Sequence, residues 1–282
     1  MKIGDYELYS IETSEFRLDG GAMFGIIPKP LWEKQVPSDN LNRISMVTRS
    51  LLLVSEDKKI LIDTGNGTKW EEKYKKIYNI NTDRYSIEKS LGKYKFSAED
   101  ITDVICTHHH FDHIGGNTKI ESGKTVPTFP NAKYWMTEEN WKLANHPSQK
   151  DAGSFMEQDW KVLAENQMIE IIDGRESFIE GIETYLTYGH TPGLLHPIIS
   201  DGSRKLFYGA DIFPMAVHIS IAWVMAYDVQ PVLTTEEKQR LLPQMEHEGW
   251  ILFFEHDPII QACTVRQDKK HFKMKNKVSI SD

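Results

Sequence analysis

Thr107-His108-His109-His110-Phe111-Asp112-His113-Ile114-Gly115-Gly116 follows a short apolar run at 104–106, and its reading decides how the rest of the chain is understood. In an extended backbone alternate side chains share a face, so His108 and His110 converge on one point while His109 points away. If the chain then turns into a helix, Asp112 and His113 swing to a second point close by. Gly115 and Gly116 supply the freedom for that turn. Imidazoles and a carboxylate in this pattern are metal-ligand chemistry, and the two directions suggest two ions. A histidine-rich surface loop is the plain alternative.

Three more candidate ligands argue against that alternative. His190 sits in the turn Gly189-His190-Thr191-Pro192-Gly193 at the end of a strand-like run. Asp211 ends Leu206-Phe207-Tyr208-Gly209-Ala210, where an acid reads equally well as a helix cap. His256 follows Ile251-Leu252-Phe253-Phe254-Glu255 in the same way. Three such residues at the ends of three apolar runs are more simply one rim than three coincidences.

Around these anchors, β-branched and alternating runs predict strands at 6–16, 45–54, 59–62, 103–107, 133–136, 168–172, 183–187, 197–199, 205–208 and 251–254. Helices are expected at 70–78, 85–91, 137–144 and 235–247, with a capped start at Ser97-Ala98-Glu99-Asp100 and a polar loop or insertion at 147–159. Strand-rich halves with interspersed helices imply an α/β protein with two sheets covered by helices. No linker divides it, so one domain over residues 1–282 is expected.

Composition sets further bounds. Of the 282 residues 40% are hydrophobic, including 12 Phe, 11 Tyr and 7 Trp, which is ample for a core and an apolar pocket. A formal charge of −8 and a pI near 5.8 argue against nucleic acid as a partner, because phosphate recognition needs clustered Lys and Arg. Cys106 and Cys263 are too few for a disulfide framework and read as buried thiols of a reducing compartment. The N-terminus lacks a secretory pattern and the apolar stretch at 212–227 is too short to span a bilayer, so a cytoplasmic protein without a membrane partner is expected.

The motifs at Asp63, His108 to His113, His190, Asp211 and His256 resemble, in order, those of the metallo-β-lactamase superfamily. The resemblance implies a four-layer αββα sandwich, the metallo-β-lactamase fold. It implies one metal on His108, His110 and His190, another on Asp112, His113 and His256, Asp211 bridging them, and Asp63 as a supporting acid. Residues 19–25 and 28–32, with Trp223 to Asp228, are similar to the branch holding YtnP-type quorum-quenching lactonases and methyl parathion hydrolase. The expected cofactors are two divalent ions, zinc first, with manganese, iron or cobalt as alternatives.

Such a centre makes hydroxide from water at neutral pH and needs no protein nucleophile, so attack by metal-held hydroxide on a lactone or ester is expected, with Asp112 or a bound water carrying a proton to the departing alkoxide. Related lactonases carry a tyrosine soon after the bridging acid. Here Ile212-Phe213-Pro214 stand there, leaving Tyr227 and His218 as candidates for contacting the substrate oxygen. Met23, Phe24, Trp32, Phe213, Trp223 and Met225 are read as pocket or core, and Trp70, Trp135, Trp141, Trp160 and Trp250 as core. The expected function is an N-acyl homoserine lactone lactonase, with room for a homodimer. Organophosphate triester hydrolase, thioester hydrolase and a non-catalytic binding module are the alternatives. The aspartate at 211 disfavours β-lactam opening, and the acidic balance disfavours an RNA nuclease.

Overall fold

Residues 51–54 and 59–62 pair antiparallel, Leu51 against Ile62 and Val54 against Lys59, and the polar turn between them closes through Ser55 N donating to Lys58 O at 2.9 Å. This ribbon lies within a seven-stranded sheet in the order Lys2–Ile3, Tyr6–Asp19, Arg43–Val54, Lys59–Ile62, Asp103–Ile105, Lys133–Thr137 and Ile169–Ile172. The last four strands are parallel, so each join must cross over, and helices Glu72–Tyr78, Ile87–Lys93, Glu138–Asn145 and Lys161–Glu165 lie in those connections. A six-stranded sheet follows, in the order Ile182–Thr187, Leu194–Ser200, Lys205–Tyr208, Ile251–Phe253, Ala262–Asp268 and His271–Val278. The computed structural model describes residues 1–281.

The chain forms two units, Met1–Phe16 with Val47–Asp173, and Arg17–Met46 with Gly174–Asp282. Each has its own apolar core. In the first, Leu61, Val104, Tyr134, Met136 and Leu163 are buried together. In the second, Phe207, Phe213, Leu242, Met245, Leu252 and Phe254 are. The helix Pro231–Glu248 starts on proline and ends on Gly249 in the left-handed conformation, two ordinary helix signals. It buries Thr234, Glu237, Lys238, Leu241, Leu242 and Met245, a helical stripe that includes two charged residues.

The mixed α/β class matches the expectation from sequence, and most elements fall within a few residues of it. Three differences matter. The expected strand at 197–199 runs from Leu194 to Ser200, the segment at 147–159 contains two 3-10 turns, and the hairpin Ala262–Asp268 with His271–Val278 was not anticipated. No helix among the described residues is long and apolar enough to cross a membrane.

Candidate metal centre

In the first unit the parallel register sets Ile62 beside Ile105, so Asp63 and the 106–107 segment emerge side by side at the carboxyl ends of their strands. Asp63 takes three donors there. Thr107 N donates to its Oδ1 at 2.8 Å, and Thr107 Oγ1 and His113 Nδ1 reach its Oδ2 at 2.7 and 3.0 Å. Because the Thr107 hydroxyl has given its proton to Asp63, its oxygen is left to accept from His108 Nδ1 at 3.0 Å. One buried carboxylate thereby directs the Nε2 lone pairs of two histidines.

The backbone is extended through His110 and helical from Phe111 to Ile114, the change of direction the spacing predicts. His108 Nε2 and His110 Nδ1 stand 3.0 Å apart, and His113 Nε2 stands 3.9 Å from Asp112 Oδ1. His109 turns elsewhere: its backbone N and its Nδ1 reach Asn140 Oδ1 at 2.8 and 2.6 Å, and its Nε2 faces Met136 Sδ. The loop after Asp63 backs the turn, with Thr64 N and Gly65 N donating to His113 O at 2.7 and 3.0 Å. Gly115 is required there, since a Cβ would lie 2.4 Å from Asn66 O.

In the second unit Tyr208 pairs with Phe253 in parallel strands, so Asp211 and His256, equally far beyond that pair, come together. His256 Nε2 is 3.2 Å from Asp211 Oδ1, and His190 Nε2 is 3.2 Å from Asp211 Oδ2. His190 Nδ1 is held by Asp228 Oδ1 at 2.9 Å. Asp228 thereby takes the Nδ1 proton and leaves Nε2 facing the Asp211 carboxylate. Asp211 thus presents its two carboxylate oxygens to the imidazole nitrogens of two histidines, a set of nitrogen and oxygen ligand atoms that fits a metal. Ala210, just before Asp211, has φ 39, a left-handed conformation costly for alanine and of the kind that gathers at functional sites. The turn carrying His190 is held by Glu237, whose carboxylate accepts from Tyr188 N at 2.7 Å and Gly189 N at 3.1 Å. These His and Asp clusters suit a dinuclear metal site.

The residues read as pocket lie in the second unit. Met23, Phe24, Phe213, His218 and Met225 are buried, and Phe213 belongs to the apolar core. Phe24 stacks on Trp32 at 5.0 Å and on His218 at 5.1 Å, with Trp223 edge-on at 5.6 Å. His218 Nε2 donates to Met23 O at 2.9 Å, and burial lowers its pKa to about 4. Its remaining nitrogen is then an acceptor, so neutral His218 has no N–H left to polarise a substrate oxygen. Tyr227 is half-buried. Trp223 lines a cleft of about 600 Å³ with Val217, Ile219, Ile260, Phe272 and Met274.

Sequence reasoning missed Asp228, Thr107 and Glu237, none of which sits at a spacing that announces a ligand. It also placed Trp70 in core packing. Trp70 instead packs edge-on against Phe111 of the histidine loop at 5.0 Å and against Tyr78 at 5.8 Å.

A family model described as the metallo-β-lactamase superfamily matches residues 46–256. N-acyl homoserine lactonase AiiA of Bacillus thuringiensis subsp. kurstaki is 25% identical over 221 residues, covering 73% of this chain and 79% of that protein. A crystal structure of a probable metal-dependent hydrolase from Staphylococcus aureus is 27% identical with a TM-score of 0.86, covering 99% of this chain and all (100%) of the other. AidC, a dizinc quorum-quenching lactonase solved with a product, is 24% identical with a TM-score of 0.80 over 99% of this chain and 97% of its own.

Proposed function

This chain belongs to the metallo-β-lactamase superfamily as one of its hydrolases, and from that premise we propose that it opens N-acyl homoserine lactones as a cytoplasmic, quorum-quenching enzyme of one catalytic domain. We propose that His108, His110, Asp112, His113, His190, Asp211 and His256 hold two divalent ions, zinc first. The observation that carries the metal reading is the convergence of His190 Nε2 and His256 Nε2 on the two oxygens of Asp211, with His190 Nδ1 held by Asp228. When bound, two such ions lower the pKa of water toward neutrality and polarise a carbonyl.

The chain's own residues then have separate tasks. Asp63 and Asp228 fix the tautomers of His113 and His190, so that each Nε2 faces outward as a ligand. Asp112, buried on the histidine loop, carries a proton to the departing alkoxide. Neither cysteine suits a nucleophile: both are buried, and burial pushes the Cys263 thiol up to about 12. Under the metal reading, solvent supplies the attacking oxygen.

The lactone assignment draws on the named relatives and on the apolar surroundings of Trp223. Its test is kcat/KM on metal-defined protein across N-acyl homoserine lactones of rising chain length, beside a β-lactam and a thioester. The lactones should be preferred, with longer tails better by up to about fourfold per methylene, the equivalent of about 0.8 kcal/mol. Trp223→Ala should flatten that trend at unchanged metal content. Absence of lactone turnover by the metal-loaded protein would sink the substrate assignment.

A further inference from the structure

Opening a lactone leaves negative charge on the ring oxygen as its bond to the acyl carbon breaks, and a donor fixed beside that oxygen lowers the barrier. Inside the second unit the obvious candidate, His218, has its N–H committed to Met23 O. The first unit offers another.

Tyr78 is the last residue of the helix Glu72–Tyr78, which closes on Asn79 in the left-handed conformation with the Asn79 N–H bonded to Lys75 O. Its ring stacks on Phe111 at 5.2 Å and 29°, and Trp70 stands edge-on to both rings. Trp70 is itself anchored, since its Nε1 donates to Asn66 O at 2.8 Å in the loop that backs the histidine turn. Phe111 precedes Asp112 in the same helical turn, and the charge of Asp112, the proposed proton carrier, is felt at the phenol. The hydroxyl is half-buried and bonds to no described residue. Packing on Phe111 and Trp70 needs only the ring, and phenylalanine would supply that without the cost of a half-buried hydroxyl.

We propose that Tyr78 is a substrate-contacting residue whose hydroxyl donates a hydrogen bond to the departing ring oxygen of the lactone. This rests on the hydrolytic reading of the Asp112 site given above. The phenol keeps its proton. Burial first, then the charges of Asp112 and Tyr74, hold its pKa above the ordinary value, so it acts as a donor throughout the working range while Asp112 moves the proton.

The test is Tyr78→Phe in metal-replete protein, assayed on an N-acyl homoserine lactone and on the matching thiolactone, with metal content and Tm measured alongside. Sulfur is a weak acceptor, so the two leaving groups report on the hydroxyl separately from the ring. The lactone kcat should fall by about 10- to 100-fold with KM little changed, and the thiolactone kcat by less than about threefold, at unaltered metal content and Tm. An unimpaired variant, or equal losses on both substrates, overturns the role of Tyr78 while leaving the lactonase reading intact. If wild type opens neither substrate, the lactonase reading falls and this proposal falls with it.

Discussion

His113 and His190 each give the Nδ1 proton to a buried carboxylate, Asp63 or Asp228, and what those carboxylates do can be measured apart from catalysis. A ligand imidazole that donates to a carboxylate is oriented, and it is a stronger base toward a metal, than one that donates to water. Asp228→Asn keeps an acceptor near His190 but removes the charge and allows the amide to turn the wrong way. Metal affinity, read by competition with a chromophoric chelator, should fall by roughly 10- to 100-fold. Unchanged affinity would mean that Asp228 serves only the backbone of its own turn, through Met225 N at 3.3 Å.

At the scale of elements, the histidine turn is held by segments far away in sequence. Lys69 lies in the loop between Asp63 and the helix Glu72–Tyr78, and its ammonium donates to Gly115 O at 2.5 Å and Thr118 O at 2.6 Å while pairing with Asp159 Oδ1 at 3.1 Å. Both side chains of that pair are buried, with 3% and 2% exposure. Lys69→Met strands the Asp159 carboxylate and frees two carbonyls, and should cost about 3–5 kcal/mol in urea unfolding. Loss under about 1 kcal/mol would show that the turn does not depend on this clamp. The clamp also explains the limits of reading this region from sequence. The histidine spacing was legible because alternation and then a turn are local rules. Lys69 was not, since its partners are carbonyl oxygens and one acid brought near only by the fold. Asp159 looked like part of a polar insertion, Trp70 like core and Tyr78 like the end of a helix, because nothing local announces the contact of the two rings with Phe111. The C-terminal hairpin escaped for another reason. Its last strand buries Phe272 and half-buries Met274, but Lys273, Lys275 and Lys277 between and beyond them mask the apolar signal with the charge typical of an edge strand.

At the scale of the whole molecule, global stability is where a charge buried in the second unit is felt. Lys238 lies fully buried on the helix Pro231–Glu248, and its Nζ donates to Ser220 O at 3.2 Å and Trp223 O at 2.8 Å above the Phe213 ring. Burial lowers its pKa to about 7, against the opposing pull of Asp228. The folded value therefore lies below that of the unfolded chain, near 10.5. Between pH 7 and 10.5 the unfolded chain binds more protons at this site, so stability rises with pH across that window and is lost as pH falls through it. His218, also buried and held to about 4, repeats the trend at lower pH and does not interfere here. Each unit of separation is worth at most about 1.4 kcal/mol, less whatever the interior relaxes. Lys238→Met keeps most of the stem volume and removes the titration. The difference between wild-type and variant unfolding free energies, measured in urea from pH 7 to 10, should move in favour of wild type as pH rises, and other titrating groups cancel in that difference. Parallel curves would show that Lys238 remains charged in the folded protein, with its two carbonyl partners and Asp228 compensating for the lost water.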